Sequence, residues 1–537
     1  MPFLRLKLAD LQTLSAPSAE GLGVDGDSPG DTIELEARIR RQFRFLPDPI
    51  TVTIDGEEVM VEFPEETPGS RAEAARLAEK AGKRASEGNY GKAIHIYQRV
   101  LELQPSLHRA RRDLAMIYSE TGDVENATNH LIDVLRLDPS DSWNWVVLGN
   151  LYASGKNDPE TAEKFIRKAL DLNPNDPWAL NSLATFTQKE GRSEEALALF
   201  EQAIAAHPDL PNPYLGKALV LDATKQTEAA AETLEQLFTM GQLQDARSQE
   251  VYDNARNLYV RVQAQLAERQ QSETFKCVQN EKAELVALSG YPVEMAEGDL
   301  TGTVGATIQL AWKYRRDHHV IVSRRNHDPI LLCHLEAHEL THLRMETEAR
   351  KVGRNRFFSS NPAHREVAMK EVASDLRRFS RNGYSEESLT PLFHNLIGGL
   401  CSFVYNCPLD MLIERRLREA FPALRPCQFL SVRTMANDAL KVNLNRDILK
   451  VTPRKIYLSV LAMNGAYCLG LDQLFGGATA FADPYRKLDN FAMARRLHDH
   501  WTSRADSLAP GDEYDLVDEF AEMLGICGWF DWLPDAG

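Results

Sequence analysis

Five residues, His338-Glu339-Leu340-Thr341-His342, carry the densest chemistry in the chain. Two histidines four positions apart stand on one face of a helix, where both can bind one zinc ion. The glutamate beside the first histidine can take a proton from a water on that ion. The expected chemistry is metal-assisted attack of water on a peptide carbonyl. Zn2+ is the expected cofactor, His338 and His342 are its expected ligands, and Glu339 is the expected general base.

The flanks say which element carries these side chains. Asp328-Pro329 is a helix start: Asp caps free N–H groups, and Pro at the first helical position loses no bond it needed. Leu332, Leu335, Leu340 and Leu343 keep helical spacing, and no Gly or Pro intervenes before Gly353. His334 extends the same face one turn earlier. Histidines at i, i+4 and i+8 span about 12 Å and cannot share one ion, so His334 is expected to support the site or the core. Upstream, Gly305–Tyr314 and His319–Arg324 read as two strands joined by a charged turn, and Tyr291–Met295 as a shorter strand.

Two strands followed at once by this helix resemble the zincin metallopeptidases, over roughly residues 290 to 537. The resemblance implies an edge strand that holds a substrate backbone beside the metal. It also requires a third ligand, because a catalytic zinc takes three from the protein and leaves one position open. One zincin class brings back a histidine after a glycine turn. Here those positions hold Met345 and Glu348. What remains is a carboxylate on a later helix, as in gluzincin-like enzymes. Asn406, Asp410 and Glu414 are spaced by four and would share one helical face, beside an apolar stripe of Leu409, Leu412, Ile413 and Leu417. By the resemblance Asp410 is the ligand and Glu414 orients a metal-bound histidine. The reverse stays open, since Glu is the commoner ligand and reaches further. Glu414 paired with Arg418 one turn on is the plainer alternative. His364, His394 and Tyr405 are candidate donors to a developing oxyanion.

A different pattern fills residues 71 to 240. Pro105, Pro139, Pro174 and Pro208 recur at nearly constant spacing, with Gly88…Ala93, Gly122…Ala127 and Gly191…Ala196 between them. Trp145…Gly149…Tyr152 and Trp178…Leu183 mark the first helix of two units. In period and residues together this resembles the tetratricopeptide repeat, which implies stacked helix pairs with a concave face that binds a protein or peptide. Four units are regular, and a fifth, Pro213 to Ala246, is expected to cap the array.

The expected architecture is therefore multidomain and mainly α. Residues 1–68 form a small α+β module, with a strand at Phe3–Leu8, a loop at 21–31, a helix at Ile33–Phe43 and an Asp55-Gly56 hairpin. Residues 71–246 form the α-solenoid of repeats. Residues 248–287 form a connecting helix. Residues 288–537 form an α+β zincin-like domain. Its end, Tyr514 to Trp532, reads as one apolar helix that docks on that domain. His498 and His500, two apart, would face different ways on a helix and are read as surface.

Composition narrows the functions. A net charge of −17 argues against nucleic acid or anionic membrane as the main partner. The N-terminus lacks the apolar run of a signal peptide. The greasiest stretch, Phe393–Ile413, is broken by His394, Asn395, Asn406 and Pro408, so no membrane span is expected. Seven scattered cysteines without a CxxC pair suit a reducing, cytoplasmic setting. The expectation is a soluble zinc metallopeptidase whose repeats recruit a protein substrate or regulator. Its rival is a non-enzymatic scaffold with an inactive or structural zinc domain. The oligomeric state is not encoded in any pattern read above.

Overall fold

The computed structural model describes residues 2–15, 29–240, 246–300 and 305–535, so most of the expected loop at 21–31 lies outside the described residues. The chain divides into two compact units, Met1–Thr224 and Lys225–Gly537.

The first unit begins with β1 (Phe3–Lys7), α1 (Leu8–Ser15), α2 (Pro29–Gln42), β2 (Thr51–Asp55) and β3 (Glu58–Glu62). The strands form an antiparallel sheet of order β1-β3-β2. The tight turn is possible because Gly56 takes φ +60°. Alternation puts Val59 and Val61 inside, in one apolar cluster with Ile39 and Phe43. This module does not stand apart from the helices that follow. Leu137 completes its apolar cluster, Lys168 Nζ lies 2.6 Å from the Asp10 carboxylate, and Arg136 donates to the Gln42 carbonyl at 3.3 Å.

Helical hairpins follow: α3 (Pro68–Ser86) with α4 (Tyr90–Leu103), α5 (His108–Glu120) with α6 (Val124–Leu137), α7 (Ser142–Ser154) with α8 (Pro159–Leu172), α9 (Pro177–Lys189) with α10 (Ser193–Ala206), then α11 (Pro211–Ala223). Gly88, Gly122 and Gly191 turn three of these hairpins in the left-handed region; Asn157 does so in the third, where Gly155 keeps a negative φ. Ala93, Ala127, Ala162 and Ala196 are fully buried, as the small residues at helix contacts must be. The recurring prolines have a second use. Six residues after each of three of them, Arg111, Trp145 and Tyr214 donate back to the carbonyls of Pro105, Pro139 and Pro208 at 2.9–3.2 Å.

The second unit opens with α12 (Thr227–Thr239) against α13 (Ala246–Ser289), where Phe238 meets Tyr259 with ring centroids 5.6 Å apart. The unit boundary thus runs through the turn of the fifth repeat, because the apolar face of α12 is covered by α13. Next come β4 (Val293–Gly298), β5 (Ala306–Gln309), α14 (Ala311–Tyr314) and β6 (His319–Arg324). The sheet order is β4-β6-β5, with β4 parallel and β5 antiparallel to β6, so β5 is an edge. The expected strand through Tyr314 stops at Gln309. There the fully buried His319 accepts the Ala311 N–H at 2.9 Å and starts the single turn α14 instead.

The remaining elements are α15 (Pro329–Lys351), β7 (Arg356–Ser359), α16 (Pro362–Glu371), α17 (Ala373–Arg381), α18 (Glu386–Ala420), α19 (Arg425–Asn443), α20 (Arg446–Val451), α21 (Arg454–Phe475), α22 (Asp483–Arg486), α23 (Phe491–Ala505), α24 (Glu513–Leu524) and β8 (Asp531–Pro534). The chain end is not one helix. Gly525 at φ +69° terminates α24, and the chain returns as β8 to pair with β7. α18 is long and apolar enough to cross a membrane by length and composition, yet 56% of its most apolar window is buried inside the protein. It runs through the core with Leu400, Val404, Leu409 and Ile413 packed against α15, α21 and α24.

Candidate metal centre

Two helices build the site. Asp328 caps α15 by accepting the Ile330 N–H at 2.9 Å, and the helix then runs unbroken through His334, His338, His342 and Glu346 on one face. α18 crosses it with Asp410 and Glu414 turned toward that face. The Nε2 atoms of His338 and His342 lie 3.3 and 3.4 Å from the same oxygen, Oδ1 of Asp410. These three donor atoms all fall within 4.8 Å of one another. Donors about 2.0–2.1 Å from a tetrahedral zinc stand about 3.3–3.4 Å apart, so the separations to Asp410 suit a shared ion.

Glu414 has a different task. It is almost fully buried, accepts from His338 Nδ1 at 3.0 Å, and accepts from His334 Nε2 at 3.0 Å through its other oxygen. Gln428 of α19 adds Nε2 donation to that carboxylate at 2.8 Å. Glu414 therefore makes no pair with Arg418 of the kind its spacing allows. With Nδ1 holding the proton for Glu414, the Nε2 of His338 is left as the lone-pair nitrogen. A neutral ring has a single N–H to offer two carboxylates. It satisfies both Glu414 and Asp410 only as imidazolium, or with a cation between Nε2 and Asp410.

The electrostatics agree with that account. Burial works against a charged His338, but hydrogen bonds to Asp410 and Glu414 outweigh it and raise its pKa well above the ordinary value. Burial works against both carboxylates as well. The histidines overcome it, so Asp410 is lowered and Glu414 is held well below the usual carboxylate range. Glu339 moves the other way. Burial raises its pKa, opposed by His342 and His338, and it accepts a hydrogen bond from the Ile308 N–H of β5. The candidate base thus sits directly beneath the edge strand.

Of the three candidate oxyanion donors, Tyr405 is near the site. Burial, with the negative charge of Glu346, Glu513 and Asp410, raises its hydroxyl well above the ordinary value. His364 instead closes a capping box with Asn361 at the start of α16. His394 is half-buried on α18, four turns before Asp410, too far along the helix to share its face of the site. His498 and His500 diverge as expected, toward Gln473 and Glu519 respectively. Two neighbours are new. Glu346, four residues beyond His342, continues the histidine face and periodicity alone could have found it. Burial pushes its pKa up to about 7, partly opposed by Lys313, His342 and a hydrogen bond from Trp312. Gln428 carries no signal in the sequence, since only the packing of α19 brings it to Glu414.

Comparison with known proteins places the first part of the chain. Models of the tetratricopeptide repeat match residues 84–145 and 187–247, 165–198, and 144–176. The chain belongs to the tetratricopeptide-repeat proteins. Similar proteins include photosystem I assembly protein Ycf3 of Rippkaea orientalis, 31% identical over 121 residues that are 19% of this chain and 68% of that protein. Human protein O-mannosyl-transferase TMTC3 is 26% identical over 148 residues, 27% of this chain and 16% of that protein. Cellulose synthase operon protein C of Escherichia coli K12 is 31% identical over 129 residues, 22% of this chain and 11% of that protein. The chain thus spans a small fraction of the length of the last two. Among solved structures, MamA is 18% identical with a TM-score of 0.28, covering 31% of this chain and 91% of its own. YrrB, described as a TPR protein with an unusual peptide-binding site, is 21% identical with a TM-score of 0.27, covering 31% of this chain and 86% of its own. The coarse function follows from the family: the chain carries a protein-interaction repeat array, whose usual partner is a protein or an extended peptide.

Proposed function

We propose that the second unit is a zinc-dependent peptide hydrolase and that the repeat array recruits its protein substrate or a regulator. The observation that carries the reading is the convergence of His338 Nε2 and His342 Nε2 on one oxygen of Asp410, with Glu339 on the same helix turn. His338, His342 and Asp410 would hold the ion, and Glu414 would orient His338. Bound zinc would supply Lewis acidity at the scissile carbonyl and a water with a pKa of about 7. Glu339 accepts the proton of the attacking water and passes it to the leaving amine, a task suited to a carboxylate whose pKa burial has raised. The open side of β5 offers backbone groups to an extended peptide. Tyr405 is the candidate donor to the developing oxyanion.

The test is Glu339→Gln in the full chain. The variant should keep the fold and about one bound zinc while losing turnover of a peptide library that the parent cleaves. Turnover at the parental rate would remove Glu339 from the mechanism. A scaffold that does no chemistry is the second reading. It is favoured by the position of the matched repeat segments, all within residues 84–247. A parent protein that binds no zinc at all would decide for it.

A further inference from the structure

Beside Glu414, residues of α18, α19, α21 and α23 line a cavity of about 480 Å3. Its charged lining comprises Glu414, Arg415, Arg418, Glu419, Arg425 and Asp506. The acidic members are already engaged. Glu414 is held by the histidines and Gln428. Arg415 bonds Glu419 at 3.0 Å and also pairs with Asp506. Arg418 and Arg425 differ: among the described residues neither has a carboxylate within ion-pair distance. The Arg425 Nε caps the Arg418 carbonyl at 3.0 Å, which brings the two side chains to one corner of the cavity. The Arg418 guanidinium lies 4.6 Å from the centroid of Phe475. Arg418 also meets the Tyr259 hydroxyl, which itself donates to the Glu235 carboxylate at 2.7 Å.

Two cations side by side, one of them partly desolvated, are costly without a counter-charge. They stand in a chain of net charge −17, where a local excess of arginine is not a consequence of composition. The ring of Tyr467 lines the same cavity, while its hydroxyl is buried away from it, toward Glu414 and Asp410. Its other walls are apolar, from Met411, Leu471, Leu474 and Trp501. Two guanidinium groups beside apolar walls are the make-up of a small-molecule site.

We propose that this cavity binds a small organic anion, its carboxylate or phosphate on Arg418 and Arg425, and its apolar body against Leu471, Leu474 and Trp501. The site is independent of any metal at His338 and of turnover. Isothermal titration of the full-length, chelator-treated protein tests it, with phenyl phosphate and phenylacetate as probes. Inorganic phosphate and benzyl alcohol isolate the head group and the apolar body. At least one aromatic anion should bind saturably, more tightly than inorganic phosphate, while benzyl alcohol gives no saturable heat. The tighter of the two names the head group. Arg425→Gln, at an exposed position, and Arg418→Met, which keeps the packing on Phe475, should each weaken binding roughly tenfold or more, the loss of a charge-assisted hydrogen bond. If neither anion saturates in the millimolar range, or if Arg425→Gln binds as the parent does, the proposal is overturned. Should Arg418→Met fail to fold, Arg425→Gln alone decides.

Discussion

Asp410 and Glu414 stand one helical turn apart, and removing each should fail in a different way. Glu414→Ala strands two buried donors, His334 Nε2 and His338 Nδ1, each at 3.0 Å, and leaves Gln428 Nε2 its bond to the residue-414 carbonyl at 2.6 Å. Each stranded donor costs about 1–3 kcal/mol, and losing one partner of a buried charged network about 3–5 kcal/mol. Water cannot replace the carboxylate, because Glu414 and His334 are almost wholly shielded. The expected loss of stability is about 3–5 kcal/mol. Zinc affinity should fall by about 10–100-fold through misorientation of His338. Asp410→Ala should behave oppositely. The Asp410 side chain is 22% exposed, so water can reach the vacated space, and the cost to the fold should be smaller, about 1–3 kcal/mol. Zinc should be lost beyond the 10–100-fold range, because a donor rather than its support is gone. Thermal unfolding of the chelated proteins reads the first quantity, and competition with a chromophoric chelator the second. Should a folded Glu414→Ala release zinc while Asp410→Ala retains it at parental affinity, the two roles are the reverse of those argued. Glu414→Gln separates shape from charge: His334 can turn its proton to Nδ1 and accept from the new amide, so this variant should lose less stability than the alanine.

Other outcomes follow from single positions. Glu346 is raised from its ordinary 4.5 to about 7 in the folded protein, so the fold holds its proton more tightly than the unfolded chain does. That contribution is complete below about pH 4.5 and is lost as pH rises through about 7, at most about 3 kcal/mol. Glu346→Gln in chelated protein should flatten the fall of the urea midpoint between about pH 5 and pH 8; an unchanged slope would show that another group titrates there. In the repeats, a methyl group on Gly216 would lie 2.4 Å from the Phe200 ring, which is itself fully buried. Gly216→Ala should therefore destabilise the first unit by about 1–3 kcal/mol, seen as a lower unfolding midpoint, and a neutral result would mean the ring has room to swing.

The repeats were readable because they state one local rule several times. A glycine or asparagine that can turn left, an alanine where helices touch and a proline at the boundary each act within about 34 residues. The same locality made the histidine helix readable, since its cap and its 3.6-residue period are sequence properties. Reading failed where a distant group intervened. The strand through Tyr314 gave way because His319 captures the Ala311 N–H. The C-terminal helix ends at Gly525, and the chain beyond it is strand because β7 offers β8 a pairing edge.

The amino-acid order by itself determined that His338 and His342 share a helix face with Glu339 between them, and that Asp410 and Glu414 share another. It could not assign the two carboxylates, because both lie on one stripe and differ by a methylene. The crossing of α15 and α18 decided that, setting Asp410 against the Nε2 atoms and Glu414 against Nδ1. An imidazole presents its two nitrogens in different directions, and only the angle and height at which two helices meet determine which nitrogen each carboxylate can reach.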